Sequence, residues 1–208
     1  MSKESILNAL KNGFKRSVDN QATPDPSIFI KNIDDDLVRE FIQRAEANKT
    51  IIINSNQENL SKDINEIIKN ENAKNLIYPV SLKDLANDLK IEQKFAFESE
   101  IESFKERIFE YDISIIKARG GVSSHGVTCV SSSDNPRLLS LTPRVCVAIL
   151  SKDDIVYSLS DQLNKIKNED GRLPTNTIFI SGPSRTSDIE LQLVLGVHGS
   201  QVFYVVLI

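Results

Sequence analysis

The sequence predicts an α/β domain with a largely parallel sheet, on two observations. Short apolar, β-prone runs alternate with helical stretches along most of the chain, the pattern of strands joined by crossover helices. The terminal run Val202–Ile208 is apolar at every position, which suits a strand covered on both faces and internal to a sheet. No long repeat and no low-complexity segment interrupts this alternation.

The elements follow in order. Ser5–Val18 sets Ile6, Leu7, Leu10 and Phe14 at near-helical spacing, with Lys3, Lys11, Lys15 and Arg16 opposite, and reads as a helix whose apolar face docks on its own domain or on a partner. Pro24 and Pro26 mark a linker, giving a helical extension over 1–26 and an α/β domain over 27–208. Asp34, Asp35 and Asp36 place negative charge at the start of a helix reaching Asn48. Thr50–Asn54 predicts a strand and Leu60–Lys69 a helix with Ile64, Ile67 and Ile68 on one side. Leu76–Val80 predicts a strand, and Ser81 is placed to cap a helix over Leu82–Leu89. A charged helix over Glu98–Glu110 and a strand over Asp112–Ala118 come next. The Gly- and Ser-rich stretch Gly120–Ser133 contains the strand-like Val127–Val130. Val145–Leu150 predicts a strand, and Ser151 is placed to cap a helix over Asp153–Lys167. Gly171 and Pro174 then punctuate before a strand at Thr177.

Composition removes several function classes. The chain has 208 residues and a net charge of -4, so it has no general drive toward a nucleic-acid backbone. No run approaches the length of a membrane span. The first residues lack the apolar core of a secretory signal, so the cytoplasm is the expected compartment. Cys129 and Cys146 lie in apolar runs and read as buried small side chains. Two thiols cannot supply the four ligands of an ordinary iron–sulfur cluster, so no cluster, and no other cofactor, is expected in this chain.

Polar chemistry concentrates near the end. Ser181-Gly182-Pro183-Ser184 stops a strand, and Arg185, Thr186, Ser187, Asp188 and Glu190 follow. This turn can cradle an anion. Ser184 and Thr186 offer hydroxyls, Gly182 allows close approach to the backbone, and Arg185 offers a planar charged fork. Equally, Ser187-Asp188-Ile189-Glu190 fits a capping box, with Ser184, Thr186 or Asp188 serving a helix terminus. His198 sits in a second turn, Gly196–Gly199, as a backbone-bonding residue or one facing a ligand. Arg137 and Arg144 flank a Ser/Thr/Pro turn, as solvated charges or as contacts for an anion. The D-x-E spacing of Asp188 and Glu190 does not share a helical face, so no metal site is expected. Ser123-Ser124-His125-Gly126 lacks a nucleophile elbow.

SGPSRTSDIELQLVLGVHGS, residues 181–200, resembles the C-terminal signature of LUD-domain proteins of the lactate-utilisation protein C type. Gly182, Pro183, Ser184, Thr186, Asp188, Ile189, Glu190, Gly196, His198 and Gly199 match, and Ser200 stands where proline is usual. A weaker likeness covers Pro136–Pro143 and the following strand. Ser124-His125-Gly126 stands where many relatives carry an acidic-Thr-Gly turn. The resemblance implies a NagB/RpiA/CoA-transferase-like fold and strengthens the ligand-binding reading of the turn, for which Gly182, Ser184, Arg185, Thr186, Asp188, His198 and Arg137 are the candidate residues. It implies an accessory or binding component of a lactate-oxidation system, partnered by iron–sulfur subunits and possessing a site for a small anionic ligand. A stand-alone acyl- or formyl-transfer or cyclising enzyme, and a small-carboxylate sensor, are the alternative readings.

Overall fold

Six parallel strands form the centre, in the order β1-β12-β7-β4-β2-β3. The computed structural model describes residues 3–13, 35–97, 107–186, 194–196 and 198–208. The strands are β1 (Ile51–Asn54), β2 (Asn75–Pro79), β3 (Gln93–Phe97), β4 (Ile113–Lys117), β7 (Val145–Leu150) and β12 (Val202–Leu207). The domain is thus α/β with a mostly parallel sheet. The terminal strand is internal, paired to β1 on one side and β7 on the other. A continuous apolar run has no wet face to offer, so it takes the position where both faces are covered.

The sheet separates two cores by strict alternation. Along β7, Cys146, Ala148 and Leu150 enter one core while Val145, Val147 and Ile149 enter the other. The second core is closed by α3 (Leu60–Asn70), through Leu60, Ile64, Ile67 and Ile68, and by α4 (Lys83–Asp88), through Ala86. The first core is closed by α2 (Leu37–Ala47), through Phe41 and Ala45, and by a smaller sheet. That sheet has the order β8-β5-β6-β9, from β5 (Gly120–Val122), β6 (Val127–Ser131), β8 (Ile155–Val156) and β9 (Thr177–Ile180). A hairpin of β10 (Arg185–Thr186) and β11 (Val194–Leu195) follows β9.

Helix α2 begins as the triple aspartate predicts: the Asp36 carboxylate accepts from the Val38 and Arg39 amides, filling two of the helix's orphan donors. Other boundaries move. Ser81 lies inside a 3-10 turn, Val80–Leu82, and makes no capping bond for α4. Ser151 likewise precedes only a short 3-10 turn, Lys152–Asp154. The helix predicted from Asp153 is replaced by β8 and then α5 (Leu159–Asp170), capped by Ser158 in a reciprocal box with Asp161. Both Ser158 and Asp161 were available in the sequence, and the box outranks a lone serine because it satisfies two backbone donors at once. Strands β3 and β5 escape the sequence reading. Gln93–Phe97 is a short run with Phe95, Ala96 and Phe97 apolar behind two polar residues, and it forms an edge strand beside β2, while the Gly-Gly of β5 reads as a turn. The predicted helix Glu98–Glu110 and linker Asn20–Pro26 fall wholly or mainly outside the described residues.

The chain divides into two units, 1–31 and 32–208. In the first, α1 (Lys3–Gly13) is helical, with Ile6, Leu7 and Leu10 exposed.

Candidate functional site

The predicted turn lies at the amino edge of the parallel sheet. Leaving β9, Gly182 adopts φ +72°, a conformation that disfavours any side chain. A Cβ there would lie 2.0 Å from the Asn48 carbonyl oxygen. What approaches this glycine is therefore the protein's own backbone, in the segment leading into β1. The Ser184 amide donates to the Ser200 carbonyl at 2.9 Å, and the Ser184 carbonyl accepts from the Gly196 amide at 2.8 Å. These bonds tie the turn to the residues entering β12. Gly199 packs on the Ser184 side chain, with a built Cβ only 3.0 Å from the Ser184 Cβ. Arg185 is exposed and donates from Nη2 to the Ser181 carbonyl at 3.1 Å.

Thus Gly182, Ser184, Arg185 and Thr186 form one folded turn, and Gly199 brings the exposed His198 next to it in sequence. Arg137 lies on a 3-10 turn, Arg137–Ser140, and the Leu141 carbonyl that follows it stands 3.6 Å from a Cβ built on Gly199. Arg137 lines a cavity of about 10 Å³ with Asn135, Ser131 and Asn176, and no residue of the 181–186 turn contributes. Asp188 lies outside the described residues. Arg144 is committed elsewhere. Its guanidinium bonds the Glu71 carboxylate at 2.9 Å and the Glu71 carbonyl at 2.7 Å, and the Tyr204 hydroxyl donates to the same carboxylate at 2.8 Å. Burial and that carboxylate push the Tyr204 phenol up to about 12.

The Ser123–Gly126 turn closes on the same helix end. Gly126 has φ +60°, and a Cβ there would lie 2.3 Å from the Ala45 amide nitrogen. The Asn48 side chain donates to the His125 carbonyl at 3.1 Å, and Ser124 Oγ meets His125 Nδ1 at 2.7 Å. Two Gly-containing turns, distant in sequence, therefore seat on residues 44–50. Both buried thiols are pushed up to about 12 by desolvation, as suits cysteines that pack as small apolar side chains. Among the described residues no group of three or more His, Cys, Asp and Glu is placed to hold a metal ion, and no helix is long and apolar enough to cross a membrane.

A second site, which no motif announces, opens at the carboxyl edge. Its cavity of about 520 Å³ is lined by Leu60 and Ser61 of α3, by Ser81, Leu82, Asp84 and Asp88 after β2, and by Lys117 at the end of β4 and Ala118 beyond it. Ser151 and Asp154 after β7, and Ile208 after β12, also line it, with Gln57, Leu85 and Ile149. Strands β2 and β4 pair through only two positions, Leu76↔Ile113 and Ile77↔Ser114, and then part. Past the parting, the buried Asn135 side chain substitutes for the missing strand: its Oδ1 accepts from the Lys117 amide at 3.0 Å and its Nδ2 donates to the Lys117 carbonyl at 2.7 Å. The chain leaving β2 turns to the α4 face, and the chain leaving β4 turns to the small-sheet face. Such a reversal leaves a crevice outside the carboxyl ends of the strands. Only strand ends and the pairing order reveal it: the sequence singles out Ser81 and Ser151 as caps alone, and Lys117 not at all.

Comparison with known proteins adds the family. The LUD domain model matches residues 38–208. The chain belongs to the LUD domain family. It is 29% identical over 191 residues to lactate utilization protein C 1 of Bacillus mycoides, covering 85% of this chain and 81% of that one. It is also 29% identical over 196 residues to lactate utilization protein C of Halalkalibacterium halodurans, covering 90% and 85%. An uncharacterised Neisseria meningitidis protein is 34% identical over 109 residues, a match spanning about half of each chain (51% and 47%). In structure, the LUD-family chain resembles a DUF162 family protein from Deinococcus radiodurans, with TM-score 0.62 and 16% identity over 82% of this chain and 95% of that one, a likeness of fold.

Proposed function

We propose that this LUD-domain chain is an accessory or binding component of a lactate-utilisation system, cytoplasmic, in which partner chains carry the iron–sulfur clusters. The observation that carries the reading is the match to lactate utilization protein C along more than four fifths of two such proteins. The thiol chemistry supports it, since both cysteines are buried and held protonated far above neutral pH. An ordinary cluster needs four thiolate ligands, and this sequence holds two cysteines. The chain's contribution is then recognition: of partner chains, of a small anion, or of both.

The test is genetic and biochemical together. A strain lacking this chain should grow poorly on L-lactate and normally on glucose. The tagged chain, recovered from native cells grown on lactate, should bring iron–sulfur proteins with it while itself holding no iron. Normal growth on lactate, with no iron–sulfur protein recovered, would overturn the proposal.

A further inference from the structure

We propose that the carboxyl-edge crevice between β2 and β4 binds a small hydroxycarboxylate, with the ligand's carboxylate on the Lys117 ammonium. The choice of acid rests on the lactate reading above; the location of the site does not.

The location follows from topology. All six strands run parallel, and the split between β2 and β4 is where the chain's direction across the sheet reverses. Open α/β sheets place ligands at this point because loops leaving adjacent strands diverge to opposite faces. The volume, about 520 Å³, lies within the range of roughly 300–1,000 Å³ common for small-molecule sites.

The ligand class follows from the lining. By alternation Lys117 stands on the same face as Ile113 and Ile115, toward α3 and α4. Its ammonium makes no ion pair among the described residues. Its backbone is fixed on one side by Asn135 and, through Ala118, on the other by Ile149. One cation on a pinned strand end suits one anionic group. The opposite wall carries Asp84 and Asp88 one helical turn apart on α4. Asp154 adds a third carboxylate, already held by Lys165. That acidic wall repels polyphosphates and other polyanions but accepts hydrogen bonds from a hydroxyl. Ser81 and Ser151 add hydroxyls, while Leu60, Ile149 and Ile208 offer apolar surface to a carbon skeleton. A monoanion with an adjacent hydroxyl meets all of these groups.

Calorimetry and ligand-observed NMR on the full chain, with L-lactate, propionate and inorganic phosphate as probes, test the proposal. L-lactate should bind saturably and propionate, which lacks the hydroxyl, more weakly. Phosphate should not displace lactate. Lys117→Met should weaken lactate binding by about tenfold or more, the scale of one hydrogen bond to a charged group, with an unchanged melting temperature because the side chain is exposed. Asn135→Ala should also weaken it, through the released strand end; should that variant fail to fold, Lys117→Met alone decides. Absence of saturable lactate binding, displacement by phosphate, or lactate affinity unchanged in Lys117→Met would each overturn the site. These readings need no partner chain, so lactate binding without iron–sulfur partners would sink only the assembly proposal.

Discussion

The two edges of the parallel sheet are built in opposite ways. At the amino edge, the Gly182 and Gly126 turns close on residues 44–50 with no room for a side chain. There the backbone groups of Ser184 are both used within the protein, and Arg144, Glu71 and Tyr204 form a closed network. At the carboxyl edge, β2 and β4 separate, and a single asparagine takes up the hydrogen bonds that the split leaves open. A motif dense in glycine and serine marks the tightly packed edge. The crevice is lined by ordinary residues from several segments. Residue types that look chemical in sequence can therefore serve tight packing, while a binding site can be assembled from residues that carry no pattern.

Gly182→Ala should strike hardest. It places a methyl on the Asn48 carbonyl and forces a side chain into φ +72°, and should cost about 3 kcal/mol in chemical denaturation. A loss under about 1 kcal/mol would mean that the amino edge is looser than its geometry implies. Asn135→Ala removes two hydrogen bonds from a buried side chain and should cost about 2 kcal/mol, placing the carboxyl edge just below the amino edge in sensitivity. Removing the Asp36 cap from α2, which both glycine turns lean on, should cost about 1 kcal/mol as Asp36→Ala, read from the melting temperature. Arg185→Ala should change stability by less than about 0.5 kcal/mol, since the side chain is exposed and its bond is to a nearby carbonyl.

Alkaline pH separates the edges by a different route. The Tyr204 phenol is raised from 10.0 to about 12, first by burial and then by Glu71. Its folded value exceeds its unfolded one, so its contribution is complete below about pH 10 and is lost as pH rises through about 12. Wild type should therefore lose stability over that window more steeply than Tyr204→Phe. Parallel pH profiles for the two proteins would remove Tyr204 from the account of the amino edge.

Much of the fold was legible because burial leaves a linear trace. The run Val145–Leu150 and the terminal run are apolar on both alternating faces, and both became internal strands. The triple aspartate marked the start of α2 because capping is a local interaction. Local rules failed where two signals competed, as when Ser151 preceded the stronger Ser158–Asp161 box. They also failed at β3, whose apolar run is only the three residues Phe95–Phe97 and whose pairing with β2 supplies what so short a run does not. Of the candidate site, the sequence located the 181–186 turn but not what surrounds it. That Gly182 faces Asn48 is a contact across more than a hundred residues, invisible to spacing.

By itself, then, the sequence determined the α/β alternation, the two-faced burial of β7 and β12, the start of α2 and the family signature near the C-terminus. Each is written in periodicity, in a local cap or in contiguous residues. Tertiary structure alone decided the strand order, the parting of β2 from β4 and the clamp of Asn135 on Lys117. It also decided that the Gly182 and Gly126 turns close on the same residues 44–50. These depend on which strand lies beside which, and pairing is set by the joint burial of two cores rather than by any one segment.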